Sequence, residues 1–206
     1  MRLYYSPGSI SIAVAITLYE AELPFEGVMV NFGEAEQTKP AYLNINPKGR
    51  VPTLETDGNH LTETGAILEY IAARTPQAKL VPQDALKAAH MRATMYYLAS
   101  TMHVNHAHRV RGNRWADRPE SLADMAAKAP QTMTNSARYV EEHCLRGDFI
   151  IGDHLSIADP YLFVVCSWLE GDGVNMADFP GITAFQQRMH ARDSVQQAKN
   201  AGMLPS

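Results

Sequence analysis

Short apolar runs alternate with helical stretches in the first third of the chain. RLYY (2–5) and FEGVMV (25–30) have the length and composition of strands. Between them, SISIAVAITLYEA (9–21) is long enough for a helix and carries apolar residues on most of its faces. The pattern therefore predicts a strand, a buried helix and a second strand that lies parallel to the first.

A hairpin and another helix follow this unit. The stretch EQTKPAYLNI is irregular and partly helical, and we expect Pro40 to break it. VPTLETDGNHLTE contains two strand-like runs around Asp57-Gly58, a dipeptide typical of tight hairpin turns. TGAILEYIAAR (64–74) has helical spacing. The predicted order βαβ, helical loop, ββα indicates an α/β domain, 1–78, with a small mixed sheet and helices on its faces.

The remainder of the chain has almost no strand signal. TPQAKLVPQDALK carries two prolines, so we place an inter-domain linker at 79–86. The region 87–206 contains four stretches with helical periodicity, the second of which we expect Pro130 to interrupt. These stretches predict an all-helical bundle as the second domain.

Composition and charge exclude several classes of protein. The 206 residues have a net charge of −4 and no basic run, which argues against a nucleic-acid partner. Cys144 and Cys166 are far apart and in no zinc-binding or CxxC spacing, so we expect neither a disulfide scaffold nor a metal, and a reducing, cytoplasmic location fits. The N-terminus is too polar for a signal peptide, and no apolar run reaches the ~18 residues of a membrane span.

The segment YYSPGSISI places a Pro-Gly turn between the first strand and the first helix. Such a turn can hold a reactive group at the mouth of a helix, but the residue at the junction is Ile10, which has none. Ser9 and Ser11 offer hydroxyls at the helix start, and Tyr5 ends the preceding strand. In an alternative interpretation Ser9 is only the helix N-cap, its oxygen accepting a bond from the first turn.

NPKGRVP (46–52) puts a proline at the opening of a strand. One interpretation is an edge strand with a trans Pro52, because proline cannot donate a ladder bond. The other is a cis Val51–Pro52 bond that turns the Val51 N–H and C=O outward, where they can pair with an extended peptide.

TETGAIL (62–68) leads from the hairpin into a helix. Thr62 or Thr64 can serve as the N-cap, with Glu63 as an acid of the first turn. A functional interpretation uses the same residues differently. The free N–H groups of the helix and the Thr64 hydroxyl would bind a carboxylate, and Glu63 would bind an ammonium, so that together they recognise an amino-acid head group.

Two further motifs lie in the helical half. Ser156 and Asp159 have the spacing of a capping box, to which we assign a folding role worth about 1 kcal/mol for either residue. His103 and His106 share one helix face, three residues apart. Partly buried structural histidines, a metal site and a histidine that serves as donor or base in a cleft between the halves are the alternatives; no carboxylate on that helix face supports the metal.

These motifs, in this order and over the whole chain, resemble the cytosolic glutathione transferases. The segments that carry the resemblance are LYYSPGS, NPKGRVP, TETGAILEYIA and LSIADPYLF. The nearest resemblance is to the bacterial beta-class enzymes. It implies a thioredoxin-like α/β N-terminal domain, an all-α C-terminal domain, glutathione as co-substrate without a metal, and a homodimer that pairs the N-terminal domain of one subunit with the helical domain of the other.

The resemblance assigns binding roles position by position. The backbone of Val51, with Pro52 in cis, would pair with the cysteinyl part of glutathione. Glu63 and Thr64 match the acid and hydroxyl that bind the γ-glutamyl end. His103 falls roughly where beta-class members have a cleft histidine.

The thiol end is where the sequence departs from the beta class. Tyr5 matches a tyrosine near the thiol, but Ile10 stands where beta-class members have a cysteine. This substitution argues against mixed-disulfide chemistry.

If glutathione binds, the ligand itself supplies the nucleophile. Lowering a thiol pKa by two units from about 8.5 takes about 3 kcal/mol, within reach of a helix N-terminus and one or two hydroxyl donors. The candidate donors are Ser9, Ser11, Tyr5 and the backbone N–H of Ile10. We expect a hydrophobic electrophile near Tyr97, His103, His106 and Trp115, in a conjugation reaction typical of detoxification.

Three other functions compete with this one. The first is a non-catalytic protein that binds glutathione or a hydrophobic ligand. The second is a thiol-disulfide oxidoreductase, against which the absence of cysteine from residues 1–143 argues. The third is a protein-interaction module, for which an amino-acid clamp at Glu63 and Thr64 would serve no purpose.

Overall fold

A computed structural model describes residues 1–204 of the protein. It divides into two compact units, one made of residues 1–83 with the segment from 189 onward, the other of residues 84–188. The boundaries derived from the sequence, 1–78, 79–86 and 87–206, stay a prediction. In the described residues, no helix is both long and apolar enough to cross a membrane.

The first unit contains a four-stranded mixed sheet. Its strands are β1 (Arg2–Tyr5), β2 (Glu26–Met29), β3 (Thr53–Thr56) and β4 (Asn59–Thr62), in the order β2-β1-β3-β4. β1 and β2 are parallel, whereas β3 is antiparallel to both β1 and β4. The predicted mixed sheet and hairpin are therefore confirmed.

The helices of this unit follow the apolar pattern closely. α1 (Ser11–Glu20) joins β1 to β2, and its residues 11–18 are all buried, as the apolar residues on most of its faces predict. α3 (Thr64–Arg74) follows the hairpin, and both α3 and the C-terminal α9 (Asp193–Asn200) pack on α1. α2 (Pro40–Leu43) is a single turn, and Pro40 begins it rather than breaking it, because the first helical position needs no N–H.

The internal position of β3 corrects the edge-strand interpretation of Pro52. β3 pairs on both sides, so a proline within it would lose a ladder bond. Pro52 escapes this cost because the paired stretch begins one residue later, at Thr53. The Val51–Pro52 peptide bond is cis, which confirms the alternative interpretation.

α9 was not predicted, and it packs on α1 of the first unit. Arg192, just before α9, donates to both carboxylate oxygens of Glu20 in α1, at 2.6 and 2.8 Å. Ser194 donates to the same carboxylate. Further along, the carbonyl of Met203 accepts from the N–H of Gly8 at 3.0 Å. The described residues after 190 thus contact α1 and the turn that follows β1.

The second unit is helical, as predicted. Its helices are α4 (Ala85–Tyr97), α5 (His103–Arg111), α6 (Pro119–Tyr139), α7 (Ala158–Cys166) and α8 (Pro180–His190). A π-helical turn, Leu98–Met102, makes α4 and α5 nearly continuous.

The predicted interruption at Pro130 is wrong. α6 runs through this residue without a break. A proline removes one bond of a helix, and the rest of a 21-residue helix remains to hold the geometry. The ring also packs on Gly173, where an added Cβ would lie only 3.3 Å from it.

The capping box at the start of α7 is confirmed, and its burial leads us to expect a larger cost for losing Asp159 than the cost of about 1 kcal/mol predicted from the sequence. Asp159 accepts from the N–H and the hydroxyl of Ser156, each at 2.7 Å, and from the N–H of Ile150 at 2.9 Å. Both Ser156 and Asp159 are 0% exposed. Removing the carboxylate would leave several buried donors unpaired, which costs more than an exposed cap.

Candidate functional site

Sheet register brings three separate segments to one edge of the first unit. Thr53 of β3 lies opposite Tyr4 of β1 on one side and Thr62 of β4 on the other. The end of β1, the start of β3 and the end of β4 are therefore neighbours, about 5 Å apart from strand to strand. The turn that follows β1, the Val51–Pro52 peptide and the start of α3 all extend from this edge.

The turn after β1 is held together by serines around one carbonyl. Ser9 Oγ donates to the carbonyl of Ser6 at 2.7 Å and lies 2.6 Å from Ser11 Oγ. Ser11 Oγ accepts from the Ser6 N–H at 3.2 Å. Ser11 is fully buried, whereas Ser9 is partly exposed. Of the two predicted hydroxyls, only that of Ser9 is thus open to a ligand.

Ile10 occupies the N-cap position of α1 and makes no side-chain cap. Its N–H has no hydrogen-bond partner within residues 1–204. Ser9 contributes to capping only weakly, through a contact of 3.4 Å from the Ser11 N–H to its Oγ. The start of α1 therefore presents a free backbone donor at the place of the beta-class cysteine.

Tyr5 is packed against a different part of the unit. Its ring would lie 3.1 Å from a Cβ at Gly27 of β2. It is also near Tyr19, whose pKa is raised by burial and, to a lesser extent, by Tyr5. Tyr19 follows Ser11 by eight residues, about 12 Å along the helix. Tyr5 therefore packs as a core residue. A role for Tyr5 near the glutathione thiol stays a prediction.

Val51 presents unpaired backbone groups beside this turn. Neither its N–H nor its C=O has a hydrogen-bond partner in the described part of the chain. The preceding carbonyl, that of Arg50, accepts bonds from Tyr42 Oη and Asn46 Nδ2, both at 2.7 Å. The sequence analysis missed these two supporting residues; Asn46 could have been suspected because it opens the NPKGRVP motif.

The start of α3 differs from the predicted capping. α3 begins at Thr64, and the N-cap position is Glu63, which makes no side-chain cap, so neither threonine serves as N-cap. Glu63 has a φ of +71°, a conformation that non-glycine residues rarely adopt and that is often found at functional sites. The Thr64 hydroxyl has no hydrogen-bond partner among residues 1–204. Thr64 and the first-turn N–H groups of α3 are thus available to a carboxylate.

Lys48 is a further residue that the sequence analysis missed. Its Nζ lies 2.5 Å from Glu63 Oε1 and donates to Thr62 Oγ1 at 2.8 Å. Both charged side chains are largely exposed. The pair shows that Glu63 already holds a cationic nitrogen at this edge.

The four residues predicted to line the electrophile site lie in the second unit. Tyr97 contacts Tyr139, with ring centroids 4.4 Å apart, and burial raises its pKa. Trp115 is half exposed and contacts His108 at 4.6 Å. His103 and His106 both contact Trp168, at 4.9 and 4.3 Å. His103 and His106 share a helix face, as predicted. That the four residues line one electrophile pocket stays a prediction.

His106 has a carboxylate partner that no helix spacing could reveal. Its Nδ1 lies 2.7 Å from Oδ2 of Asp172, which is 66 positions away in sequence. Among residues 1–204, no group of three or more metal-binding side chains is arranged to hold a metal ion.

Comparison with known proteins identifies the family. Residues 1–73 match the family model for the N-terminal domain of glutathione S-transferase, and residues 87–193 match that for its C-terminal domain. The chain is 32% identical over 204 residues to glutathione S-transferase GstA of Escherichia coli O157:H7, with 98% of each chain covered.

Solved structures extend this finding. A glutathione transferase homologue from Sulfitobacter with bound glutathione is 57% identical, with a TM-score of 0.97 and 98% of each chain covered. The beta-class glutathione S-transferase of Sphingomonas chungbukensis is 32% identical, with a TM-score of 0.83 and 98% of each chain covered. From its two domains and these relatives, the chain belongs to the glutathione S-transferase family.

Proposed function

We propose that this protein is a glutathione transferase that stabilises the thiolate of glutathione through backbone and hydroxyl donors for attack on a hydrophobic electrophile. The observation that carries the proposal is a set of backbone and hydroxyl groups at one end of the sheet that have no hydrogen-bond partner within residues 1–204. They are the Ile10 N–H, the Val51 N–H and C=O, and the Thr64 hydroxyl. Glutathione-bound relatives of high similarity support the same ligand.

These groups match an extended peptide with an amino-acid head group. The Val51 N–H and C=O would pair with the cysteinyl residue as one more strand pairs with a sheet. Thr64 and the start of α3 would bind the γ-glutamyl carboxylate. Glu63 would bind the ammonium, a role compatible with its contact to the Lys48 ammonium.

We assign the thiolate to the Ile10 N–H, with the Ser9 hydroxyl as a second donor. Ser11 is less suited because it is fully buried and bound to Ser6. Ser9 can donate to sulfur only by giving up its bond to the Ser6 carbonyl. Its net contribution would therefore be about 1 kcal/mol, which would lower the pKa of the bound thiol by at most about one unit. The N-terminus of α1 would provide a similar amount.

The electrophile would bind to residues of the helical unit. Tyr97, His103, His106 and Trp115 remain our candidates for that surface. The thiolate forms a carbon–sulfur bond to the electrophile, and the electron pair leaves with a halide or moves onto an atom that takes up a proton.

The cysteines argue against the competing thiol-disulfide chemistry. Cys144 and Cys166 are both free and buried. Burial raises the pKa of each thiol, which makes it a poor nucleophile. An oxidoreductase needs the opposite, an accessible thiol of low pKa.

Calorimetry with two ligands tests the thiol contact. Glutathione and S-methylglutathione share every group except the free thiol, so the difference between their affinities isolates the sulfur. Ser9→Ala should reduce this difference and raise the pKa of the bound thiol, followed by its ultraviolet absorbance. Thr38→Ala, which removes an exposed hydroxyl bonded to Ala35, is the matched control.

The outcomes separate the alternatives. If glutathione does not bind, the proposed function is wrong. If it binds but chlorodinitrobenzene and an unsaturated ketone are not conjugated, the protein is the non-catalytic binder. If Ser9→Ala, like Thr38→Ala, leaves the thiol pKa unchanged, the backbone of Ile10 acts alone.

We also propose a homodimer and a cytoplasmic location, both on the strength of the family. Light scattering coupled to size exclusion tests the first, and cell fractionation the second. A monomeric mass at micromolar concentration would overturn the dimer.

A further inference from the structure

The last described residues of the chain return to the turn that follows β1. The N–H of Gly8 donates to the carbonyl of Met203 at 3.0 Å. Met203 is itself held by the end of α9, because its own N–H donates to the carbonyl of Ala198 at 3.0 Å. Such a bond back into the helix is a common C-terminal cap. The turn after β1 is therefore bonded to α9 through a single residue, Met203.

The side chain of Met203 packs beside the strand that leads into this turn, and Met203 is only 3% exposed. A Cβ added to Gly27 of β2 would lie 2.8 Å from Met203 Cε and 3.1 Å from Tyr5 Cε1, so both side chains cover the same point of β2. Tyr5 is the last residue of β1 and immediately precedes the turn. Met203 thus bonds to the turn at Gly8 and packs next to the residue from which the turn starts.

The other end of the same C-terminal segment, residues 192–203, is anchored at the far end of α1. Arg192 donates to both carboxylate oxygens of Glu20, at 2.6 and 2.8 Å, and Ser194 donates to one of them at 2.5 Å. Glu20 is the last of the 10 residues of α1, and the turn after β1 precedes the first. The C-terminal segment therefore spans the length of α1, about 15 Å, and is bonded near both of its ends.

The turn between β1 and α1 contains a glycine and carries the donors that we assign to the thiolate. Gly8 has a φ of +68° and nothing within 4 Å of the position of a Cβ, so no packing around a side chain fixes its backbone. The bond from Ser9 to Ser6 lies within the turn itself, whereas the bond to Met203 ties the turn to another element. A hydrogen bond weakens steeply as its angle departs from linearity. The Ile10 N–H can therefore assist a thiolate only while the turn keeps its orientation.

We propose that Met203 is a positioning residue for the thiol contact of glutathione. Its carbonyl and its side chain keep the turn in the orientation in which the Ile10 N–H and the Ser9 hydroxyl point at the sulfur. Met203 acts through the turn and not by touching the reacting atoms. The inference rests on the proposed transferase function and adds to it a residue from the opposite end of the chain.

Met203→Ala and Met203→Leu test the proposal together. Alanine removes the packing of the side chain, whereas leucine nearly keeps its volume. The thiol of bound glutathione is titrated in each variant, with the thiolate followed by its ultraviolet absorbance. We expect Met203→Ala to raise the pKa of the bound thiol by about half a unit, equivalent to a roughly threefold lower thiolate fraction below that pKa. Met203→Leu should match the wild type, and the affinity of both variants for S-methylglutathione, which has no free thiol, should stay within about twofold.

A pH profile at saturating glutathione separates positioning from a general loss of structure. Below the pKa of the bound thiol, kcat/KM of Met203→Ala for chlorodinitrobenzene should fall about threefold, whereas well above that pKa it should reach the plateau of the wild type. A structural defect alone would lower kcat/KM by the same factor at every pH. Met133→Ala is the matched control, because Met133 is 0% exposed in α6 of the other unit. It should lose stability on heating but keep the pKa of the bound thiol.

Amide hydrogen exchange tests the contact itself in the absence of glutathione. The Gly8 N–H, which is bonded to Met203, should exchange about tenfold faster in Met203→Ala than in the wild type, as measured by NMR. An equal exchange rate in the two proteins would show that the side chain of Met203 does not hold the turn.

The outcomes separate this inference from the function on which it rests. A raised thiol pKa with an unchanged plateau at high pH supports the role of Met203. An unchanged thiol pKa, or an equal loss of rate at every pH, overturns that role while the transferase function stands. If Met203→Ala does not fold, Met203→Val takes its place and is judged by the same two results. If the wild type binds no glutathione, the proposed function itself fails.

Discussion

The side-chain amide of Asn46 donates to the backbone carbonyl of Arg50 across 2.7 Å. The same amide donates to Thr53 Oγ1 at 3.1 Å, and Asn46 Oδ1 accepts from the Lys48 N–H at 3.1 Å. Asn46 is 1% exposed. Because Arg50 immediately precedes Val51, this buried amide fixes the Arg50–Val51 peptide, and we propose that the backbone of Val51 binds the ligand.

Asn46→Ala should therefore weaken both folding and binding. It leaves the Lys48 N–H without its partner and removes two donors, so we expect a loss of about 2 kcal/mol in the free energy of unfolding. A loosened Val51 should lower glutathione affinity about tenfold, equivalent to about 1.4 kcal/mol. Urea denaturation and calorimetry measure the two effects. Asn44→Ala is the control, because Asn44 is exposed; an affinity equal to the wild type in Asn46→Ala would contradict the assignment.

Two glycines in left-handed conformations should respond differently to alanine. Gly49 has a φ of +61°, and an added Cβ would lie 2.9 Å from the Gln37 carbonyl oxygen. Gly58 has a φ of +74° with nothing within 4 Å of the same position. Gly58→Ala should lower the free energy of unfolding by about 1 kcal/mol, because alanine is disfavoured in the left-handed backbone conformation. Gly49→Ala should cost about 3 kcal/mol, because a backbone atom must also move.

The same pair should differ in glutathione affinity. Gly49 lies two residues from Val51, so a backbone shift caused by Gly49→Ala should weaken glutathione binding. Gly58 lies at the far end of the hairpin, so Gly58→Ala should leave the affinity for glutathione unchanged. Equal unfolding midpoints for the two variants would show that the Gln37 contact is relieved without cost.

The two residues of the buried capping box, Ser156 and Asp159, should contribute unequally to the free energy of unfolding. Asp159→Ala should lower the free energy of unfolding by about 3 kcal/mol, because the Ser156 and Ile150 donors stay buried without an acceptor. Ser156→Ala should cost about 1 kcal/mol, the usual value for a cap. Glu120→Ala, an exposed acid in the first turn of α6, is the control. Equal losses at Ser156 and Asp159 in urea titrations would refute the argument.

The local sequence pattern was sufficient to predict elements whose ends are marked within their own segment. β1 at residues 2–5 and α3 at residues 64–74 were predicted to the residue, because apolar spacing and the flanking turns are contained in the segment itself. Pro130 misled the prediction since its unfavourable local effect is outweighed by the rest of a long helix and by packing on Gly173. Local preference is a weak guide where tertiary contacts compensate.

The candidate functional residues also differ in how far the sequence could predict their contacts. Ser9, Val51 and Thr64 lie in recognisable motifs, and sheet register explains why those motifs meet. Asp172 lies in no motif, and only the three-dimensional packing places it against His106. The spacing of residues along the sequence cannot predict contacts between residues so far apart in the chain.

His190 should make stability depend on pH. Burial, and secondarily Lys199, lowers its pKa below the ordinary 6.5. The unfolded chain then binds a proton at a pH where the folded protein does not, so stability falls as pH drops through about 6.5 toward the folded pKa and is fully present above it. His190→Gln should flatten the change in urea midpoint between about pH 7.5 and pH 5.5. His143→Gln, at an exposed histidine, serves as control; an unchanged slope in His190→Gln would count against the assignment.

Ile10→Cys should create the thiol chemistry that the wild type lacks. The side chain would start at the mouth of α1, where the helix N-terminus favours a thiolate. With oxidised glutathione, this thiolate should form a mixed disulfide and release one reduced glutathione, seen as a single glutathionyl group by intact mass. Ile12→Cys, at a fully buried position of the same helix, should stay unmodified. Reaction at both positions, or at neither while glutathione still binds, would show that residue 10 does not face the ligand's sulfur.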